Sequence, residues 1–535
     1  MTPVRTPPWR RRLATTLAAC TVLSALPAPA RAQVRLPSLG ETASQDLSVG
    51  AERRLGEQIM REARRDPAYL DDPVLLEYLQ SIWSPLVAAA RQLGNIDADT
   101  DLAFAWEPFL VRDRSVNAFA LPGGFVGVHL GLIFITSTSD QLASVLAHEM
   151  SHVTQRHIAR SIAPQQQASM LALATLLLGI IAASRTGNVD VANAAIMGGQ
   201  GAAIQSQLNY SRDVEREADR IGFGVLVGAG YAPSAMAAMF DNLDASTRLN
   251  DNSGFPYLRS HPLTVDRISE ARNRTLLANS APAPLTLQHA LMQARSRVLM
   301  SEGTRALQRL SGETSSPLLA DRVAALYAGA MAASFLNDHA RAEVQVAQAL
   351  QLAGTARPRE PRAERALQLL QAQVRLAHGD APGAMQALDN LPPGASGRPV
   401  LLLRAQAALE LHRRDAGGAA VPLRSSTEAL QTWLAEQPHD ALGWELLAAT
   451  SDALGLKLRS MRAGAEARAV VGDLVGAVDR LRAAQAATRT TAGQDFIEAS
   501  VIDARLRQLM AQRRQLALEA RGESRRPGPG DEPPQ

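Results

Sequence analysis

His148 and His152 stand four residues apart, with Glu149 between them, in the segment Leu146-Ala147-His148-Glu149-Met150-Ser151-His152-Val153. On an α-helix that spacing is one full turn plus about 40°, so both imidazoles face the same way. The flanking apolar residues Leu142, Val145, Leu146 and Met150 recur with helical period, and Ser139 or Asp140 would cap the start. Two neutral imidazole nitrogens at this separation can share one zinc ion. Glu149 lies about 100° round the helix from His148, too far round to be a third ligand but able to reach a water at the metal. Zinc lowers the pKa of such a water towards about 7, and a carboxylate can take its proton for attack on a peptide carbonyl. Histidine is scarce here, ten in 535 residues, so the pairing is not a by-product of composition.

A zinc centre of this kind needs one more protein ligand and keeps one open position. The strong candidate is Tyr210-Ser211-Arg212-Asp213-Val214-Glu215-Arg216-Glu217-Ala218-Asp219-Arg220, which reads as a helix starting near Ser211. Glu215 and Asp219 share a face, whereas Glu217 is about 200° away from Glu215, so both glutamates cannot face one ion. We assign Glu215 as the ligand. Asp219 would then accept an N–H from a ligating imidazole and fix its tautomer. Taken alone, the segment also reads as a solvated charged helix with arginine partners. His129 and His157 are read as structural, since His157 falls five residues past His152, off the ligand face.

The rest of the chain frames this centre. Arg5 and Arg10 to Arg12, an apolar run from Leu13 to about Leu26 and Ala30-Arg31-Ala32 have the layout of a signal peptide cleaved after Ala32. Leu17-Ala18-Ala19-Cys20 resembles a lipobox, but the apolar run continues past Cys20, which favours cleavage over lipidation. Loss of residues 1–32 removes five arginines and no acid, taking the formal charge from +3 to −2. No nucleic-acid footprint remains. Cys20 is the only cysteine, so a mature chain would have neither disulfide nor thiolate metal site.

Helices are expected at Ala51–Arg64 and after Asp71-Asp72-Pro73, and strands at Leu102–Trp106, Ala118–Leu121 and Phe125–Val128, the last two joined by Pro122-Gly123-Gly124. Asn117 to Ala120 would form an edge strand beside the cleft, able to pair with an extended substrate. Met170 to Ala183 is an uncharged run of 14 residues, short of the roughly 20 a membrane span needs. It reads as a buried helix, a plug over the site or a peripheral membrane or partner contact. Ala281-Pro282-Ala283-Pro284 reads as a linker, and beyond it short helical runs separated by Gly-Asp and Pro-Gly junctions extend to about Leu518. The stretch with Pro438, Asp440, Ala441, Trp444, Leu447, Ala448, Leu454 and Gly455 resembles a tetratricopeptide repeat.

The expected fold is therefore mainly α, an α+β protease domain with a small sheet followed by a repeat-like helical solenoid. The expected divisions are a signal peptide at 1–32, protease domain at 33–280, linker at 281–300, helical repeats at 301–520 and a disordered tail at 521–535.

These motifs together resemble metallopeptidase family 48, gluzincins that include CAAX prenyl endopeptidases. Leu36-Pro37-Ser38-Leu39-Gly40, Asp72-Pro73, Asn117-Ala118-Phe119-Ala120-Leu121-Pro122-Gly123-Gly124, the His148–His152 helix and Glu215-Arg216-Glu217-Ala218-Asp219 carry the resemblance. It implies a secreted zinc endopeptidase with one ion per chain held by His148, His152 and Glu215. It also implies a periplasmic setting, with quality control or assembly of outer-membrane proteins, unfolded or misassembled protein substrates and the outer-membrane assembly machinery as a partner. The alternative is a chaperone or adaptor whose zinc site stays latent. Ser260-His261-Pro262, followed by Asp266-Arg267-Ile268, resembles a loop whose histidine sits near the metal. By that resemblance His261 would cover the zinc as a latch, or else stabilise the oxyanion, and its bland reading is an exposed loop histidine.

Overall fold

The computed structural model describes residues 47–161, 212–249, 255–278, 282–312, 316–392, 394–415, 420–488 and 496–524. The signal-peptide and lipobox segment, Leu36–Gly40, Met170–Ala183 and residues 525–535 lie outside these. Helix α1 (Val49–Ala63) starts where Ser48 turns extended and accepts the Ala51 N–H, and it buries Leu55, Ile59, Met60 and Ala63. After the two-residue strand β1 (Tyr69–Leu70) comes α2 (Pro73–Gln92). Its first turn is fixed by the Asp72 carboxylate on the Leu75 N–H, with Pro73 where a missing N–H costs nothing.

Next come α3 (Ala98–Ala103), β2 (Glu107–Val111), β3 (Ala118–Leu121) and β4 (Phe125–His129). The strand expected at Leu102–Trp106 is not formed. Asp97 caps a helical turn through its bond to the Thr100 N–H, Leu102 points to solvent, and Trp106 takes a left-handed conformation before the strand begins at Glu107. The sheet runs β1-β2-β4-β3, with β2 and β4 parallel and the other pairs antiparallel, so β3 is an edge strand. Gly123 and Gly124, both at positive φ, make the turn between β3 and β4. Alternate residues divide between two cores: Phe109, Val111, Leu121 and Phe125 meet α1, whereas Leu110, Ala118, Val126 and Val128 join the main core.

A short α4 (Leu130–Ile135) leads to α5 (Ser139–Thr154), which is buried from Asp140 to Val153. The residue capping α5 is Thr138, not Ser139 or Asp140, because Thr138 is the last extended residue and its hydroxyl accepts the Gln141 N–H. The Asp140 carboxylate instead accepts the Ala232 N–H at 2.9 Å. After α6 (His157–Ser161) come α7 (Arg212–Gly228), α8 (Ser234–Leu249), α9 (Pro256–Ser260) and α10 (Val265–Ala278). Helices α7 and α8 both pack on α5.

The expected linker at 281–300 holds a helix, α11 (Leu287–Leu299), capped by Thr286 and burying Leu287, Leu291, Met292 and Val298. The Pro-Ala run covers only its approach. Helix α11 packs on α2 and α4, His289 bridges the Tyr78 hydroxyl at 2.6 Å and the Thr136 carbonyl at 2.7 Å, and Arg295 forms a two-pronged pair with Asp72 at 2.8 Å on both prongs. One apolar core is thereby continuous from α2 and α5 through α11 to Leu403.

Helices α12 (Thr304–Gly312), α13 (Leu319–Phe335), α14 (His339–Ala353), α15 (Pro361–Ala377), α16 (Ala381–Asp389) and α17 (Arg398–Arg414) follow. They continue into α18 (Ala420–Glu436), α19 (Ala441–Ala453), α20 (Lys457–Val470), α21 (Leu474–Thr488) and α22 (Phe496–Ser524), each packed on the next from α12 onward. Asp338, Asp380 and Asp440 cap three of them. The last helix runs into the tail expected from residue 521. Arg398 ties α17 to Asp71, Arg365 ties α15 to Glu77, and Arg65 donates to the Val471 carbonyl, so the array returns to the N-terminal part of the chain at several points. Among the described residues the chain is mainly α with one four-stranded sheet, and no helix is long and apolar enough to cross a membrane.

Candidate metal centre

Helix α5 aims His148 and His152 inward, with their Nε2 atoms 3.0 Å apart. Helix α7 brings Glu215 to them: Oε2 is 3.5 Å from His148 Nε2 and Oε1 is 3.6 Å from His152 Nε2. His261, just past α9, places Nδ1 3.0 Å from Glu215 Oε1 and 3.3 Å from His148 Nε2. One donor atom from each of these four residues lies within 4.8 Å of the others, and all four residues are buried. A tetrahedral zinc with bonds of about 2.0–2.1 Å sets its donors about 3.3 Å apart, a value bracketed by the separations of 3.0 to 3.6 Å given above.

Close approach of α7 to α5 depends on Gly222. A Cβ there would lie 3.0 Å from the Ala147 carbonyl oxygen and 3.1 Å from the His148 nitrogen.

Glu149 is fully buried, and its two oxygens differ. Oε2 accepts the Ala120 N–H of edge strand β3 at 3.1 Å. Oε1 has no hydrogen-bond partner among the described residues and lies 3.5 Å from His261 Nε2. A buried carboxylate oxygen without a partner costs free energy unless water or an ion meets it, and this one faces the donor group. Burial pushes the Glu149 carboxyl above the usual carboxylate range, which suits a base that must hold a proton.

Asp219 lies one turn on from Glu215, and its Oδ1 is 2.9 Å from His148 Nδ1. Arg267 grips the same carboxylate through Nε and Nη2, at 2.7 and 2.8 Å, and its Nη1 lies 2.8 Å from Glu215 Oε2. Burial would raise the Asp219 carboxyl, but the Arg267 and His148 hydrogen bonds prevail and hold it down to about 2. Burial opposes charge on His148 too, yet hydrogen bonds to Asp219 and Glu215 lift it to about 10. Burial and the neighbouring His148 and His261 charges drive His152 well below the usual imidazole range. The donor set therefore draws positive charge to its centre, and a metal ion there would displace the proton on His148. By spacing, burial and charge, these residues fit zinc.

His157 departs from the sequence reading. It is off the ligand face of α5 but not outside the site, since its Nδ1 is 2.8 Å from His152 Nδ1 and its Nε2 is 3.1 Å from Glu217 Oε2. Arg156, two residues past the end of α5, takes a left-handed conformation at φ 51° before α6 begins. Arg267 is the other residue drawn into the network, and its signal was the Asp266-Arg267 step after Ser260-His261-Pro262. His129 stays apart, its Nδ1 2.9 Å from the Ser115 hydroxyl.

A mainly helical fold with one small sheet, carrying a buried His-Glu-x-x-His helix joined by a carboxylate from a later helix, defines a zinc metallopeptidase. The chain belongs to peptidase family M48, whose sequence profile matches residues 78–275. It is 30% identical over 504 residues to the beta-barrel assembly-enhancing protease of Escherichia coli strain K12, an alignment covering 93% of this chain and 96% of the relative. To the putative beta-barrel assembly-enhancing protease of Vibrio cholerae it is 39% identical over 264 residues, 49% of this chain and 51% of the other. The mitochondrial metalloendopeptidase OMA1 of Schizosaccharomyces pombe is 28% identical over 230 residues, 42% of this chain and 60% of the relative. The protein is a metalloendopeptidase.

Proposed function

We propose that this chain is a periplasmic zinc endopeptidase, cleaved from its signal peptide after Ala32, that acts on unfolded or misassembled proteins during outer-membrane protein assembly. The observation that carries this reading is the extent of the similarity to the Escherichia coli protease, which covers 93% of the chain and so includes the helical array as well as the peptidase part. On this reading residues 301–520 form a tetratricopeptide-like solenoid that offers a concave surface to clients or to the assembly machinery.

His148, His152 and Glu215 hold the metal. Bound zinc supplies Lewis acidity, lowering the cost of charge on the scissile carbonyl oxygen and easing deprotonation of water. Glu149 takes the water proton on Oε1 and returns it to the leaving amine, while the Ala120 N–H steadies Oε2. Asp219 accepts from His148 Nδ1–H, leaving Nε2 free for the ion. Strand β3, at the sheet edge, is positioned to pair with an extended substrate through main-chain hydrogen bonds. His261 lies among the donors and would be a further ligand at rest, which would keep the enzyme latent until the loop after α9 moves. That placement also favours a second, compatible reading, in which the array works as a chaperone while the site is shut.

Zinc content and casein cleavage of the wild type, Glu149→Gln and His261→Ala test this. Glu149→Gln should keep its zinc and lose cleavage by about 10²–10⁴-fold. His261→Ala should keep its zinc and cleave faster, and a large loss of cleavage in that variant refutes the latch. Rescue of clients by Glu149→Gln with no proteolysis by any variant would favour the chaperone reading.

A further inference from the structure

His148 and His152 are supported differently. His148 Nδ1 meets a carboxylate held by an arginine, the usual way a protein orients a ligating imidazole. His152 Nδ1 meets another imidazole. We propose that His157 and Glu217 form a second orienting chain, Glu217–His157–His152, which sets the tautomer and ring position of the second metal ligand.

Valence fixes where the protons go. If His152 Nε2 faces the metal, its proton is on Nδ1 and must be donated. The atom 2.8 Å away is His157 Nδ1, which can accept only if the His157 proton is on Nε2. That Nε2 is 3.1 Å from Glu217 Oε2, an acceptor. Each ring then donates outward from the centre, and one assignment of protons satisfies both of these bonds. Reversing it would put an N–H on His152 Nε2, facing the donors, and leave Glu217 opposite a lone pair.

Geometry makes this arrangement specific. On an unbroken helix, a residue five past His152 would point about 140° away from it. The chain breaks at Arg156, a non-glycine residue at φ 51°, and α6 restarts at His157 facing back. The reversal is held from outside, because Arg156 Nε donates to Glu52 Oε2 at 2.8 Å. Left-handed non-glycine residues persist where their surroundings over-determine them, and they cluster at functional sites. Glu217, facing away from the ion on α7, reaches the centre from the far side of His152, with Arg160 at 3.2 Å from its carboxylate. The two glutamates of Glu215-Arg216-Glu217 thus serve one centre from opposite sides. His157 and Glu217 touch neither substrate nor metal, so they are positioning residues.

The inference rests on the metal-centre reading, so the test separates the two. Zinc affinity is measured by competition with a chelator on the full chain, together with the cobalt(II) absorption spectrum and the melting temperature of the metal-free protein. His157→Leu removes the acceptor and is expected to bind zinc about 10–100-fold more weakly, with altered cobalt bands and unchanged metal-free melting. His157→Asn puts an amide oxygen near the Nδ1 position and is expected to restore most of the affinity and the bands. His148→Ala is expected to abolish stoichiometric zinc. If His148→Ala loses zinc while His157→Leu matches the wild type, the orienting chain alone is overturned. It is overturned as well if His157→Asn binds zinc as weakly as His157→Leu, which would make the role one of packing. If wild type holds no zinc, or His148→Ala holds as much as wild type, the metal-centre reading fails and takes this inference with it. Should His157→Leu not fold, Glu217→Leu takes its place, with a smaller loss expected and an unchanged affinity overturning the proposal.

Discussion

Of the three glycines in helix α7, Gly222, Gly224 and Gly228, the first two should respond differently to alanine. Gly222 lies seven residues after Glu215 and three after Asp219, on the stripe that faces α5. A Cβ at Gly222 would sit 3.0 Å from the Ala147 carbonyl oxygen and 3.1 Å from both the Ala147 carbonyl carbon and the His148 nitrogen. All three are helix backbone atoms, so none can swing aside, and the two helices must part by a few tenths of an ångström. Glu215 moves with its helix, whereas metal–ligand distances tolerate only about 0.2 Å. A displacement of 1 Å can cost about 10²-fold in function, so a few tenths should cost roughly 10-fold in zinc affinity, about 1.4 kcal/mol. For stability, alanine gains about 1 kcal/mol of helix propensity and overpacking costs about 1–3 kcal/mol, so Gly222→Ala should come out neutral to destabilising. At Gly224 a Cβ meets nothing within 4 Å among the described residues, and Gly224→Ala should stabilise by about 0.5–1 kcal/mol with zinc affinity unchanged. Urea unfolding of the metal-free protein and chelator competition measure both quantities. Equal stabilisation by the two alanines, with wild-type zinc binding in each, would refute the close-approach argument.

Three further outcomes follow from the packing of the array on the peptidase half and from the start of α5. Arg295→Met leaves the Asp72 carboxylate buried without its guanidinium partner and should cost about 3–5 kcal/mol in urea unfolding. Adding Asp72→Asn, which still caps α2, should recover most of that, and a single-variant loss under about 1 kcal/mol counts against the pair. Asp440 is held below the usual carboxylate range because, although burial raises it, the Arg398 hydrogen bonds prevail. Its folded pKa is thus under the unfolded value of about 3.9, so its contribution is complete above that value and is lost as pH falls through the folded pKa. Melting curves between pH 6 and 3 should therefore fall less steeply below about pH 4 in Asp440→Asn than in wild type. Thr138→Ala removes the hydroxyl that accepts the Gln141 N–H at the start of α5 and should lower stability by about 1 kcal/mol, whereas Thr138→Ser should be near neutral.

Much of the helical framework was legible locally. The Asp72-Pro73 start, the hairpin turn at Gly123-Gly124, the helix through His148 and His152 and the punctuated helices after residue 300 each rest on a cap, a turn residue or a period within a few positions. The same local rule set Glu215 and Asp219 on one helical face. It failed at Leu102–Trp106, where Asp97 captures the backbone first, and at 287–299, where a proline-rich approach hides a buried helix.

What periodicity could not supply is which helix faces meet. His261 reaches Glu215 across 46 residues, and Arg267 reaches Asp219 across 48. His157 returns to His152 only because Arg156 breaks the helix. Backbone hydrogen bonding and caps act over one turn, so local sequence specifies most of the helices and the ligand-bearing faces of two of them. Whether those faces close on a single point depends on side-chain volume and the absence of a Cβ at Gly222, and that is settled only when the helices pack.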